Sequence, residues 1–323
     1  MINVMITGSS GFVGSNLCRA LQTNNFFVIG LDKQSPKFCP PNQFVHTDIR
    51  DEFTLREILR VYKPTVLFHL AAVSTIQEGN ADPEETWSTN FRATCNVADA
   101  VKAEGLTTKI FFASTDKVYG ELRDVREYTE DLPLRPLMSS PYDCSKAAAD
   151  EFIRTCGDGI CVLRFCNLYG ACDMSLSRVV PGTISTLMQG RSPVLNRYRD
   201  SEGKEYDFFR DMLFVDDLCD ALTTLTIKSL RNEVSENIFN FGTGSPVSMS
   251  EVINCLVELV NPDCQPTVKI VSPTKELTCQ SVNFARANRV LGFRPTTALR
   301  DGLRQTISWW KNYEVKINDQ QVS

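Results

Sequence analysis

The sequence predicts an α/β fold: a doubly wound parallel sheet with a smaller mixed α/β lobe. Three observations predict it. Short apolar runs alternate with amphipathic stretches of helical length through the first half of the chain, the rhythm of βαβ units. The runs are near-continuously apolar, as strands covered on both faces are. A glycine-rich turn joins the first run to the first amphipathic stretch.

The elements follow in order. "INVMITG" (2–8) reads as a strand and "GSNLCRALQTN" (14–24) as a helix. "FFVIGLD" (26–32) is a strand, a third strand ends near "HTDIRD" (46–51), and "DEFTLREILRVYK" (51–63) is a helix. "TVLFHLAAV" (65–73) is a strand, and 82–105 reads as one long helix. "KIFFAST" (109–115) is a strand, 141–157 a helix and "ICVLRFCN" (160–167) another strand. The rhythm then changes. Residues 177–190 form a helix, 194–212 read as polar loop, 214–230 as helix, 238–244 as strand and 249–260 as helix. Residues 1–169 with about 211–241 are therefore expected to form one lobe, and about 170–210 with 242–323 a second.

Composition sets limits. The chain has 323 residues, 42% hydrophobic and 23% charged, with net charge -5. With no long basic run, nucleic acid and anionic membrane are not the expected partners. The start, "MINVMITGSS", lacks the basic region of a signal peptide. No stretch reaches the roughly 18 apolar residues of a membrane span. A cytoplasmic location is expected, and the 12 cysteines then read as thiols. Cys156, Cys161 and Cys166 are spaced with no C-x-x-C pair, and the only histidines are His46 and His69, so no metal site is expected.

Gly8, Gly11 and Gly14 lie between the first strand and the first helix. Glycines there let backbone approach a pyrophosphate, which the helix N-terminus attracts. Asp32 ends the second strand, where an acid accepts from ribose hydroxyls and repels a 2′-phosphate. NAD is thus favoured, although neighbouring Lys33 leaves NADP open. Asp48 either reaches adenine or caps a helix.

Gly8-x-x-Gly11-x-x-Gly14 combines with Tyr142-x-x-x-Lys146 in "SPYDCSKAAADEF". With "FHLAAVST" (68–75), "TNFRATCNVADA" (89–100), "LRFCNLYG" (163–170), "RDMLFVDD" (210–217), "FNFGTG" (239–244) and "NRVLGFRP" (288–295), this resembles the extended short-chain dehydrogenase/reductase family, specifically its nucleotide-sugar epimerases and dehydratases. The resemblance runs nearly the whole chain in order. It implies a Rossmann-type cofactor lobe and NAD held by Gly8, Gly11, Phe12, Val13, Gly14, Asp32, Asp48 and Ile49. Leu70, Ala71, Ala72, Tyr142 and Lys146 complete that set.

The resemblance also implies roles. Tyr142 is the catalytic base. Lys146, four residues on along a helix, shares its face and favours the phenolate, as does a positive nicotinamide. Thr115 holds the reacting sugar oxygen, and Asn167 and Arg210 contact the nucleotide sugar. A guanidinium suits that task because it grips phosphate bidentately. The pattern is departed from in three places: 196–209 is long, Asn283 stands where Asp is common, and no second phosphate-gripping Arg is evident near 270–282, where Lys275 is the substitute.

"STDKVYG" (114–120) resembles the pattern of 4,6-dehydratases, some of which carry Asp-Lys at this place. Such an enzyme oxidises sugar C4, eliminates water across C5 and C6, and returns hydride to C6. A protonated Asp116 would release the C6 hydroxyl as water. Lys117 would take the C5 proton if burial or nearby cations kept it neutral; otherwise it steadies the enolate and Asp116 moves both protons. A 4-epimerase needs no such pair. It is the first alternative, ahead of a uronic-acid decarboxylase and a non-catalytic dinucleotide sensor. The resemblance further implies a homodimer, joined through helices within 84–104 and 142–157, where Ala147, Ala148 and Ala149 permit close approach.

Overall fold

The computed structural model describes residues 2–121, 127–272 and 277–322, with side chains to 313. β1 (Asn3–Thr7) enters the glycine turn and α1 (Phe12–Thr23) leaves it. β2 (Phe27–Asp32), β3 (Gln43–His46) and α2 (Glu52–Tyr62) follow, the helix capped by Asp51, which accepts from Thr54 N. β4 (Val66–His69) leads into two short helices, α3 (Ile76–Ala81) and α4 (Pro83–Trp87).

The long helix expected over 82–105 is interrupted. A π-turn at Ser88–Arg92 separates α4 from α5 (Ala93–Ala103). The wider turn serves Asn90, which accepts from Val73 N at 2.9 Å and donates to Ser145 Oγ at 3.1 Å. Such turns occur often at functional sites. β5 (Lys109–Thr115) ends in a 3₁₀ turn, Asp116–Tyr119. Then come α6 (Pro141–Ile153), β6 (Ile160–Phe165), β7 (Asn167–Tyr169) and α7 (Val179–Met188).

The stretch 194–212 is not loop. It forms β8 (Val194–Arg199), β9 (Glu205–Asp207), β10 (Phe209–Arg210) and the start of β11 (Met212–Phe214). Polar cross-strand pairs hold the β8–β9 hairpin, so its apolar alternation is weak. Arg199 meets Glu205 at 2.7 Å, Arg197 meets Asp207 at 3.1 Å, and the Tyr198 and Tyr206 rings stack at 5.5 Å. α8 (Val215–Leu230), β12 (Ile238–Phe241), β13 (Val247–Ser248), α9 (Met249–Val260), β14 (Thr267–Ile270), α10 (Ala285–Leu291) and α11 (Leu299–Val322) complete the chain.

The main sheet has seven parallel strands in the order β12-β6-β5-β4-β1-β2-β3. The order reverses between β1 and β4, which opens a crevice at the strand ends. One face packs Leu17 of α1 and Leu222 of α8 against Val4, Phe68 and Phe239. The other packs Leu55 and Leu59 of α2 and Val97 of α5 against Met5 and Leu67. A separate core joins α7, α9 and α11 through Ile184, Leu256 and Leu303. Phe38, in the loop after β2, sets its ring edge-on against Trp309 and Tyr313 of α11, at 5.1 and 5.4 Å. Among the described residues no helix is long and apolar enough to cross a membrane.

Candidate active site

The glycine turn is sterically closed to side chains. Gly8 has φ +74, and a Cβ on it would lie 2.7 Å from Ala71 N. A Cβ on Gly14 would lie 2.1 Å from Gly8 O, and one on Gly11 would lie 3.3 Å from it. β1, the turn and the start of α1 therefore pack at backbone distance. Asp32 closes the turn from β2: its Oδ2 accepts from Ser10 N at 3.0 Å and its Oδ1 from Gln34 N at 2.9 Å. Lys33 turns to Glu85, at 3.2 Å. Asp48 is gripped by Arg50, whose Nη2 is 2.6 Å from Oδ2, and that contact holds its carboxyl below the usual range. Ile49 is buried beside it. Leu70 N donates to Thr7 O at 3.1 Å, so the segment after β4 lies against the glycine turn. This cradle of bare backbone and a strand-end acid suits a dinucleotide.

α6 is started by Ser140, whose hydroxyl accepts from Asp143 N, and by Pro141 in the first turn. The helix carries Tyr142 and Lys146 on one buried face. Lys146 Nζ donates to Ala113 O at 2.9 Å and lies 5.0 Å over the Phe112 ring; burial lowers its pKa to about 8. Tyr142 and Thr115 share the cleft wall, and Thr115 acts on the Tyr142 phenol. Burial raises that phenol well above the ordinary value, Asp143 adds to that, and Thr115 and Arg178 oppose it. The ammonium expected to lower it turns instead toward β5. His69 lies close by, neutral at about pKa 3 through burial and Lys146, with Nδ1 2.8 Å from Thr7 Oγ1 and Nε2 3.0 Å from Thr94 Oγ1.

The 3₁₀ turn after β5 brings Asp116 and Lys117 to the same place. Asp116 is 1% exposed. Its Oδ1 accepts from Thr115 Oγ1 at 3.2 Å, and its Oδ2 is buried with no partner. Burial pushes its pKa up, with Asp211 adding to that, while Lys117 and Arg210 pull it down. Lys117 Nζ donates to Gln280 Oε1 at 3.0 Å. Its positive charge acts on two carboxyls, Asp116 and Asp143.

Sequence reasoning missed Asp143. It is 1% exposed, and neither carboxyl oxygen has a hydrogen-bond partner. Burial raises its pKa to about 6, against the pull of Lys117 and Ser140. An acid in the first turn reads as a favourable helix-dipole charge, which hid it. Gln280 was also missed, because it is 163 residues from the lysine it holds.

Thr115, Asp116, Lys117, Tyr142 and Lys146 all line one cleft of about 940 Å³. Val13, Leu70 and Ala72 line it on the cofactor side, and Asn167 and Arg210 on the far side. Gly8, Gly11, Phe12, Gly14, Asp32, Asp48, Ile49 and Ala71 are not part of that wall. Asn167 Nδ2 is a buried donor with no partner. Arg210 is 5% exposed, with its guanidinium 5.6 Å over the Phe208 ring. Arg178, which the sequence does not single out, also lines the cleft. Asn283 donates to Glu127 at 2.7 Å. Lys275 lies outside the described residues.

The profile of the NAD dependent epimerase/dehydratase family matches residues 4–242. A dTDP-glucose 4,6-dehydratase of Haemophilus influenzae is 28% identical, over 96% of this chain and 98% of that one. A UDP-glucose 4-epimerase of Mycolicibacterium smegmatis is 27% identical, over 96% of this chain and 99% of that one. The crystal structure of a Thermus thermophilus UDP-glucose 4-epimerase in complex with NAD superposes with TM-score 0.83 at 26% identity, covering 96% of this chain and 99% of that one.

Proposed function

The chain belongs to the NAD dependent epimerase/dehydratase family, and on that premise we propose that it is a nucleotide-sugar 4,6-dehydratase. The observation that carries this is Asp116: a buried acid in the cleft wall, with a raised pKa and an unpartnered oxygen beside Thr115 and Lys117. A 4-epimerase moves only the C4 hydride and the O4 proton, and has no use for a second acid in the cleft. Dehydration does, because a hydroxyl leaves only as water.

The glycine turn and Asp32 would hold NAD, which would supply the hydride chemistry at C4 and C6. The chain supplies the rest. Tyr142 accepts the O4 proton as C4 becomes a ketone, with Thr115 holding that oxygen. Nearby positive charge, as a bound nicotinamide would supply, would bring the Tyr142 phenol down from its raised value. The new ketone acidifies C5–H. Asp116 protonates O6, the C6–O bond breaks and water departs. The Asp116 carboxylate takes the C5 proton in the same elimination and gives one back to C5 when C6 is reduced, and the O4 proton held by Tyr142 then restores Asp116 to its acid form. Lys117 donates to Gln280 and faces two carboxyls, which suits it to steady the C4 enolate oxygen. The product is a 4-keto-6-deoxy sugar nucleotide. Asn167 and Arg210 serve the diphosphate side, one by an open amide donor and one by charge. Residues 1–169 with about 211–241 form the cofactor lobe and the remainder the sugar-nucleotide lobe, in a cytoplasmic enzyme.

The test is a panel of nucleotide sugars incubated with the purified protein, with product masses recorded. Loss of one water from one substrate supports the reading. A new isomer of unchanged mass makes the protein a 4-epimerase instead.

A further inference from the structure

Around Asp32 the acids and bases form one chain of contacts, away from the reacting groups. Lys33 directly follows Asp32, and its Nζ reaches Glu85 Oε1 at 3.2 Å. The other oxygen of Glu85, Oε2, takes Nη1 of Arg50. Arg50 in turn grips Asp48, with Nη2 2.6 Å from Oδ2 and Nε 3.0 Å from Oδ1. One carboxylate thus bridges the two cations that follow Asp32 and Asp48. Its own backbone is fixed. Glu85 lies on α4, where its N–H donates to Asp82 Oδ1 at 2.9 Å. The next residue, Thr86, is fully buried and donates its hydroxyl to Asp82 O at 2.7 Å. Lys33 is fixed at its root as well, because Asp32 accepts from Ser10 N and from Gln34 N.

On the reading of Asp32 as the acid that meets the adenosine ribose, we propose that Glu85 is a second determinant of cofactor choice. By engaging Lys33 and Arg50 it denies a 2′-phosphate the cations it needs, and so secures NAD against NADP.

The charge balance explains why Asp32 needs help. A basic side chain beside the ribose acid is what accommodates a 2′-phosphate. Asp32 with Lys33 alone is a carboxylate and an ammonium side by side, with no net charge to repel that group. The same holds for Asp48 with Arg50. Glu85 tips the balance. Asp32, Asp48 and Glu85 set three negative charges against the two positive charges of Lys33 and Arg50, so the cluster is left negative. Both cations are also turned toward carboxylates. A 2′-phosphate, with about two negative charges, meets repulsion there. A ribose hydroxyl carries no charge and is indifferent to it. Removing the Glu85 charge makes the cluster neutral. It also frees Lys33, whereas Arg50 keeps Asp48 as its partner.

The test is calorimetric titration of the full chain with NAD+ and with NADP+. Glu85→Gln should bind NADP+ about tenfold more tightly than the parent, the worth of one charge-assisted contact, and NAD+ within about twofold of it. The gain should shrink at high salt, since the groups are exposed. Adding Lys33→Met to Glu85→Gln should abolish the gain. Asp32→Asn is the separate check on the ribose acid, and it too should improve NADP+ binding. An improvement with Asp32→Asn but none with Glu85→Gln would overturn the role of Glu85 and leave that of Asp32 standing. No improvement with either would overturn the ribose reading and the role of Glu85 with it. A gain that survives Lys33→Met would show that Lys33 is not the cation Glu85 withholds, and a loss of NAD+ binding in Glu85→Gln would make Glu85 a structural residue.

Discussion

Asp116 concentrates the chemistry of the cleft in one side chain. Asp116→Asn keeps size and polarity but has no proton to give. C4 oxidation does not need that proton, so the variant should still develop NADH absorbance with its sugar nucleotide. Water loss should slow by about 10²–10⁴, the usual worth of a general acid. Tyr142→Phe should show no NADH absorbance at all. An Asp116→Asn enzyme as fast as the parent would sink the dehydratase reading. Asp143 permits a test through stability. Its carboxyl holds its proton up to about 6 in the folded protein, against 3.8 for an unperturbed aspartate. The folded form therefore binds more protons between those values, and stability falls as pH rises through that window. Asp143→Asn should raise stability by roughly 1–3 kcal/mol at pH 7 and by almost nothing at pH 3. Denaturant melts at the two pH values check this. An equal change at both would mean that the carboxyl titrates alike in the folded and unfolded chain. Thr115, Asp116, Lys117, Tyr142 and Lys146 were legible because each sits in a short motif. Asp143 and Gln280 were not, since their meaning comes only from what the fold sets beside them.

At the scale of elements, β5 and α6 must keep register, because each carries half of the reacting groups. The clamp is buried beneath them. Arg164 of β6 makes a two-pronged contact with Asp150 of α6, at 2.7 and 2.8 Å, and both side chains are fully buried. Ser114 of β5 donates to the same carboxyl at 2.7 Å, and Arg164 reaches Tyr119 of the 3₁₀ turn at 2.8 Å. Asp150→Asn should cost about 3–5 kcal/mol, because it strands a buried guanidinium. Unfolding in urea measures it, and a loss under about 1 kcal/mol would show that the clamp is dispensable. The main parallel strands were legible as unbroken apolar runs. The β8–β9 hairpin was not. It is built from Arg, Glu, Asp and Tyr, and its stabilising pairs lie across the turn and not along the chain. The π-turn was also hidden, since Asn90 inside a helical pattern looks like any polar helix residue.

For the molecule as a whole, the helical face of α4, the π-turn and α6 carries apolar surface with no described cover. Trp87 is 37% exposed and meets Phe91 edge-on at 6.0 Å, and Phe91 meets Phe152 at 6.1 Å. We expect this face to join two copies as a homodimer. Light scattering at micromolar concentration should give twice the 36.3 kDa chain mass. Trp87→Glu should shift that value toward one chain; a monomeric parent protein refutes the interface.

The aromatic contact between Phe38 and α11 carries a consequence for the order of synthesis. A ribosome releases the glycine turn, β2 and the loop bearing Phe38 early, long before Trp309 and Tyr313 emerge. The loop bearing Phe38, which follows Asp32, therefore lacks this aromatic contact in the nascent chain until the final helix docks. NAD retention should mark a finished protein and not a half-made one. A chain stopped after Ile307 keeps all seven strands of the main sheet, the glycine turn and Asp32, yet should hold NAD at least about tenfold more weakly, a loss of roughly 1.4 kcal/mol. Calorimetric titration of the shortened and full chains measures it, and equal affinities would mean that the loop is set by β2 and α1 alone.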